Sequence, residues 1–140
     1  MLYVDTSVLV ALCTNEAKTA DAVKWYAACA DELASAAWCV TEFASALGIK
    51  QRTGQLSEPQ AQAAWVRFER MCASDLQLLP VEAMTFHKAA MLTMDATAGL
   101  RAGDALHLAC AMEAKASGMV TLDVVLAKNS KRLKVKPVSI

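Results

Sequence analysis

MLYVDTS, residues 1–7, runs from apolar residues into a carboxylate, and MVTLD, residues 119–123, repeats this order near the other end of the chain. Short apolar runs that stop at a polar residue are typical of buried strands. Between these stretches the predicted strands alternate with helices, which indicates a parallel sheet covered on both faces. In such folds the functional groups lie beyond the carboxyl ends of the strands, so Asp5 and Asp123 are expected at one edge of the sheet.

The remaining pattern predicts three further strands and seven helices. The strands lie near 33–37, 76–79 and 134–138, and the helices near 7–13, 18–30, 39–52, 58–73, 82–95, 104–117 and 124–130. The helix at 58–73 is the clearest, because Ser57 with Gln60 forms a capping-box pattern and Pro59 suits a first turn. The helix at 104–117 is apolar nearly all round in its first half and is therefore expected to be central.

Composition bounds the class of protein. A chain of 140 residues is the size of one domain, and its 56% of hydrophobic residues indicate an extensive core. No apolar run approaches the roughly 18 residues of a membrane span, and the amino terminus lacks a leader-like pattern. The five cysteines are odd in number and form no CxxC pair, which favours reduced core thiols. These features predict a cytoplasmic protein without a membrane partner.

Charge is balanced overall but uneven along the chain. Fourteen basic residues match fourteen acidic ones, so no overall field attracts nucleic acid. After Asp123 there is no acidic residue, whereas five basic residues follow: Lys128, Lys131, Arg132, Lys134 and Lys136. This carboxy-terminal run is open to two interpretations, a surface that contacts phosphates or a plain solvated tail.

Four acidic residues stand in apolar or small surroundings where packing does not explain them: Asp5, Glu42, Asp104 and Asp123. A buried unpaired carboxylate is costly, so each requires a cation, a hydrogen-bond donor or water. Hard divalent cations such as Mg²⁺ take oxygen ligands, and three or four acids suffice for one or two ions. Thr6, Ser7 and Thr121 stand beside two of the acids and are expected to orient a carboxylate or a metal-bound water.

Each acid also has a structural interpretation. Asp5 and Asp104 suit the N-cap position of a helix, where aspartate is favoured. Glu42 can pair with a base such as Arg101, and Asp123 can be an ordinary turn residue. His107, on the helical face of Asp104, is more typical of a core or supporting histidine than of a metal ligand.

Four segments together resemble a PIN domain: LYVDTSVL at 2–9, TE at 41–42, LRAGDALHLA at 100–109 and VTLD at 120–123. More narrowly, the chain resembles the VapC-type ribonuclease toxins of bacterial toxin–antitoxin pairs. The resemblance covers essentially the whole length and keeps the order of the segments. The DTS and RxxDALHLA strings are specific in combination.

The resemblance implies a single PIN domain over residues 1–140, an α/β class fold built as a three-layer α/β/α sandwich around a parallel sheet. It implies Mg²⁺ or Mn²⁺ at an acidic centre and endonucleolytic cleavage of RNA. Its catalytic and metal-binding quartet corresponds to Asp5, Glu42, Asp104 and Asp123, with Thr6 and Thr121 at the usual hydroxyl positions. It also implies a homodimer and a cognate antitoxin, whose carboxy-terminal segment crosses a groove formed by the early helices and places a basic side chain at the acids.

Three other functions stay open at this point. PIN domains also serve in RNA processing outside toxin–antitoxin pairs. A non-catalytic module would use the same acids to receive a partner's Arg or Lys. A phosphoaspartyl enzyme using Asp5 is disfavoured, because such hydrolases generally carry a second Asp two residues on, where this chain has Ser7.

Overall fold

The computed structural model describes all residues, Met1 to Ile140, as five strands and seven helices. The strands are β1 (Leu2–Val4), β2 (Leu33–Ala36), β3 (Leu76–Leu79), β4 (Gly118–Val120) and β5 (Pro137–Val138). The helices are α1 (Thr6–Cys13), α2 (Thr19–Ala28), α3 (Trp38–Arg52), α4 (Glu58–Ser74), α5 (Ala83–Met94), α6 (Ala102–Glu113) and α7 (Val124–Arg132). None of the helices combines the length and the apolarity that crossing a bilayer requires.

The strands form one sheet in the order β3-β2-β1-β4-β5, and every neighbouring pair is parallel. The predicted parallel sheet is therefore confirmed. The first strand lies at the centre of the sheet, between β2 and β4. Because Asp5 directly follows β1 and Asp123 follows β4, the sheet order brings these two carboxylates to neighbouring positions on the same edge.

Alternation along the strands builds a core on each face of the sheet. Leu2 and Val4 belong to the core that is covered by α1, α3 and α4. Tyr3, between them in sequence, belongs to the opposite core, with residues of α5, α6 and α7. Successive strand residues point to opposite faces, so a three-residue strand is enough to join both cores. The three-layer arrangement is confirmed.

Three predicted boundaries are wrong, two in α6 and one in the last strand. Helix α6 begins at Ala102 instead of residue 104, because Arg101 already has the extended backbone of an N-cap position. It ends at Glu113 instead of residue 117, since Lys115 has a φ of 52° and turns the chain toward β4. The last strand is shorter than predicted, because Lys134 has a φ of 65° and only Pro137 and Val138 pair with β4.

Packing in the first core depends on an aromatic stack between α3 and α4. The rings of Phe43 and Phe68 lie parallel, with an interplanar angle of 9° and centroids 4.2 Å apart. Phe68 is only 1% exposed. The apolar side of α4, with Ala61, Ala64 and Phe68 buried, therefore packs into the core.

Replacing Phe68 with alanine is expected to lower the free energy of unfolding by about 3–5 kcal/mol, because the change removes apolar contacts and leaves a cavity. Urea denaturation at 25 °C measures this change. Phe86→Ala is the matched control, since Phe86 is 52% exposed on α5 and should change stability by no more than about 0.5 kcal/mol. Equal effects of the two changes would contradict the assignment of the core.

Candidate metal centre

All four acids of the predicted quartet line one cleft at the carboxyl edge of the sheet. The cleft has a volume of about 780 Å³, and Asp5, Glu42, Asp104 and Asp123 contribute to its wall together with Thr6. Residues 5, 42, 104 and 123 come from four different parts of the chain, so only the fold brings them together. Thr121 lies directly behind this wall and is buried.

Asp5 is both a helix cap and a member of the cleft. It follows the central strand and is the N-cap of α1. Its Oδ1 accepts hydrogen bonds from Ser7 Oγ at 2.6 Å and from the amide of Val8 at 3.4 Å, and its Oδ2 accepts one from Thr121 Oγ1 at 2.8 Å. Burial raises the pKa of Asp5, and the hydrogen bond from Ser7 opposes this effect. The hydroxyl groups orient the carboxylate, as expected from the sequence.

Glu42, on α3, is held by side chains of α1 and α6. Its Oε2 accepts hydrogen bonds from Thr6 Oγ1 and from His107 Nε2, each at 2.5 Å. Burial by itself would raise the pKa of Glu42, but the hydrogen bond and the charge interaction with His107, together with the Thr6 bond, outweigh it and lower the pKa. Glu42 thus pairs with a base, as the structural interpretation proposed, but the base is His107 and not Arg101.

A buried hydrogen-bond chain supports Glu42 from inside the protein. The backbone amide of Ala36 donates to the hydroxyl oxygen of Tyr3 at 2.9 Å, and that hydroxyl lies 2.8 Å from His107 Nδ1. Because the amide can only donate, the Tyr3 proton is available to Nδ1, which leaves the Nε2 proton for Glu42. His107 is buried and contacts Glu42, which confirms its interpretation as a core, supporting histidine.

Asp104 lies in the first turn of α6 and does not cap it. The N-cap position belongs to Arg101, so the capping interpretation of Asp104 is wrong. Arg101 approaches it instead, with Nε 3.7 Å from Oδ2. Burial raises the pKa of Asp104, and the neighbouring carboxylates of Asp123 and Glu42 raise it further, against the opposing charge of Arg101. The charges of Asp123 and Glu42 therefore oppose ionisation of Asp104.

Asp123 is an N-cap as well, not an ordinary turn residue. Its Oδ1 accepts a hydrogen bond from the amide of Leu126 at 2.7 Å and so caps α7. Its own amide donates to Thr121 Oγ1 at 3.0 Å. Thr121 thus joins two acids, because the same hydroxyl group donates to Asp5 and accepts from the backbone of Asp123.

The donor chemistry of the cleft suits a hard divalent cation. The side chains supply carboxylate oxygens, and their mutual repulsion at Asp104 is the kind that a cation relieves. No group of three or more His, Cys, Asp and Glu side chains is arranged as a ready-made set of metal ligands. Mg²⁺ usually binds through one or two protein carboxylates and keeps several waters, so such a set is not required for it.

Two functional positions were not found from the sequence. A Cβ atom at Gly103 would lie 2.5 Å from Glu42 Oε1, so any other residue would force that carboxylate out of its position. The only sign of this role in the sequence is that a glycine stands beside Asp104 in the RxxDALHLA segment. The sequence predicts Tyr3 only as part of an apolar strand. Because neighbouring strand residues point to opposite faces, its position between Leu2 and Val4 indicates that it faces the other core.

Comparison with known proteins agrees with this architecture. The family model described as PIN domain matches residues 2–131. The toxin VapC20 of Mycobacterium tuberculosis, described as cleaving the sarcin–ricin loop, has a TM-score of 0.74 at 16% identity, covering 92% of this chain and 95% of its own. PAE2754 of Pyrobaculum aerophilum has a TM-score of 0.68 at 23% identity, covering 98% and 83%.

A toxin–antitoxin complex from Klebsiella pneumoniae contains a chain that has a TM-score of 0.65 at 16% identity, covering 99% of this chain and 97% of its own. No curated protein matches the sequence significantly. At these identities the solved structures establish the fold alone. The family model spans nearly the whole sequence and agrees with the parallel sheet and its acidic edge, so this chain belongs to the PIN domain family.

Proposed function

We propose that this protein is a metal-dependent endoribonuclease that acts as the toxin of a toxin–antitoxin pair. The observation that carries the proposal is the convergence of four carboxylates on one cleft, where partial burial raises the pKa of Asp104 and the carboxylates of Asp123 and Glu42 raise it further. Such repulsion is unfavourable without a cation. The toxin role is supported by structural neighbours among VapC toxins and toxin–antitoxin complexes.

In this mechanism the four acids would hold Mg²⁺ or Mn²⁺. A bound ion of this kind supplies activated water and neutralises charge on the scissile phosphodiester. Ser7 and Thr121 fix the rotamer of Asp5, while Thr6 and His107 fix that of Glu42. This preorganisation is required because a carboxylate that rotates freely holds an ion poorly.

The cleft also offers a positive group for the RNA itself. The Arg101 side chain is 84% exposed beside Asp104, whereas Lys50, farther along α3, is paired with Glu16 at 2.6 Å. An exposed guanidinium at the mouth of the cleft can contact a phosphate next to the scissile one. Arg101 would thereby place the substrate, while the acids act on the bond that is cut.

An antitoxin and a second copy of the chain are the proposed protein partners. The same cleft continues past Ala46 to Ile49, so an apolar segment that carries one basic side chain would match both its wall and its acids. Four apolar side chains of α5 are exposed and suit burial in a homodimer: Met84, Phe86, Met91 and Met94.

Purified, partner-free protein tests this function. We expect it to cut single-stranded RNA in the presence of Mg²⁺ or Mn²⁺, to stop when EDTA is added, and to resume when the metal ion is restored. Separate transfer, ribosomal and messenger RNA substrates should be compared on denaturing gels. Failure to cut any of them with either ion, combined with tight binding of a basic peptide, would instead identify a partner-binding module.

A further inference from the structure

The exposed face of α7 leads away from the acidic cleft. Asp123, which lines the cleft, caps this helix, and the next residue, Val124, is 81% exposed. Lys128 and Lys131 follow Val124 by four and seven positions, which places all three on one side of the helix. At a rise of about 1.5 Å per residue, this face extends about 10 Å from the cleft.

The lysines continue beyond the helix. Lys131, Lys134 and Lys136 line a depression of about 430 Å³ with Val135 and Pro137. We call Lys128, Lys131, Lys134 and Lys136 the basic face. The six ion pairs of the structure use other cations, so none of these four lysines is paired with an acid. The neighbouring Arg132, in contrast, pairs with Asp95 at 3.3 Å.

The basic face belongs to the folded domain, and its four lysine side chains are exposed on it. Lys134 follows the end of α7 with a φ of 65°, in the left-handed region where glycine is usual and other residues are disfavoured by roughly 1–2 kcal/mol. The Lys134 amide donates to the carbonyl of Lys131, and the buried Val135 donates to the carbonyl of Ser130 at 2.8 Å. These bonds close the helix end and hold Lys134 beside Lys131.

We propose that the basic face binds the phosphate backbone of the RNA strand as it leaves the acidic cleft along α7. This inference rests on the proposed function. The acids that would cut RNA also repel it, and the chain has a formal net charge of zero, so attraction must come from a local surface. Unpaired lysines contact phosphates without regard to sequence, which suits holding a strand outside the cutting site.

The salt dependence of RNA binding tests the proposal. In an Asp104→Asn background, which is expected to hold RNA without cutting it, the triple variant Lys128→Gln, Lys131→Gln and Lys134→Gln is compared with its parent. Binding of a fluorescently labelled single-stranded RNA is followed by anisotropy at several salt concentrations. A plot of log K against log salt has a negative slope, and each lost phosphate contact on a single strand makes that slope shallower by about 0.7. The loss of three contacts should therefore reduce its magnitude by about 2.

The matched control removes the same charge from exposed, unpaired residues elsewhere, through Lys24→Gln, Arg70→Gln and Lys115→Gln. Its salt slope should equal that of the parent. In the cleaving protein, the basic-face triple should raise KM and leave kcat nearly unchanged, because these contacts are made equally before and during the reaction. Thermal melting of each variant shows that the fold is retained.

The outcomes separate this proposal from the proposed function. If the wild type cuts RNA but the two triple variants have equal salt slopes, the proposed RNA binding by the basic face is overturned and the proposed nuclease function is retained. If the basic-face triple variant has a shallower salt slope than its parent but the wild type never cuts RNA, the proposed RNA binding by the basic face is supported and the proposed nuclease function is not. Absence of RNA binding overturns both. Binding of polyglutamate that only the basic-face triple abolishes, with RNA binding unchanged, would assign the surface to an acidic protein partner instead.

Discussion

Asp5→Asn is expected to lower RNA cleavage more than about 100-fold, since losing a mere supporting partner of a metal ligand already costs 10–100-fold. The same change should stabilise the metal-free protein at neutral pH. Asp5 is only 4% exposed, and burial raises its pKa, so the ionised carboxylate destabilises the folded state. Asparagine is uncharged, and its amide can still bond to the hydroxyl groups of Ser7 and Thr121.

The pH dependence of this gain has a definite sign. Below about pH 4, the ordinary pKa of aspartate, the carboxyl is protonated in both folded and unfolded chains and the variant gains nothing. As the pH rises toward the higher pKa of the folded state, ionisation increasingly opposes folding of the wild type. The advantage of Asp5→Asn should therefore grow from pH 4 upward and level off above the folded-state pKa. Thermal melts in EDTA at pH 4 and pH 8 measure it.

In EDTA the Asp5→Asn variant should be more stable than the wild type, and Mn²⁺ should reverse this order if Asp5 holds the ion. Added Mn²⁺ should raise the melting temperature of the wild type and leave that of Asp5→Asn nearly unchanged, because an ion stabilises only the state that binds it. Asp21→Asn is the control, since Asp21 is an exposed residue of α2 paired with Lys18, outside the cleft. Cleavage at the wild-type rate by Asp5→Asn would remove Asp5 from the catalytic quartet.

The sheet edge was predictable because its signals are local. Asp5 and Asp123 each follow an apolar run, and the rules for parallel sheets place both at the carboxyl edge. The start of α6 was less predictable. Its N-cap is Arg101, whose side chain forms no capping hydrogen bond, so no capping residue marked the boundary. The prediction consequently placed the helix start at Asp104, a residue that suits a cap.

The hydrogen-bond partners of Glu42 could not be predicted from patterns in the sequence. Its partner His107 lies 65 positions away, and their contact depends on how α3 and α6 meet at the sheet edge. The chain from Ala36 through Tyr3 depends on the pairing of β1 with β2, which no local spacing encodes. The basic residues after Asp123 were visible in the sequence, but their shared exposed face follows only from the register and capping of α7.

Gly103→Ala is expected to reduce RNA cleavage by about 10–100-fold, the usual cost of disturbing a group that orients a metal ligand. The new Cβ would lie 2.5 Å from Glu42 Oε1, closer than such atoms approach. The carboxylate is the end of a flexible side chain and will move, which breaks its bonds to Thr6 and His107 at Oε2. The broken hydrogen bonds cost about 1–3 kcal/mol of stability, partly offset by the helical preference of alanine.

A double-mutant cycle shows whether Gly103 acts through Glu42. In a Glu42→Ala background the clash is absent, so Gly103→Ala should stabilise the protein by about 0.5–1 kcal/mol, as expected for glycine to alanine in a helix. Gly48→Ala on α3 is the matched control, because its Cβ would meet only the flexible end of Arg52 at 3.2 Å. Urea denaturation gives each free energy of unfolding. If Gly103→Ala changed stability equally in both backgrounds, crowding of Glu42 would not explain the glycine.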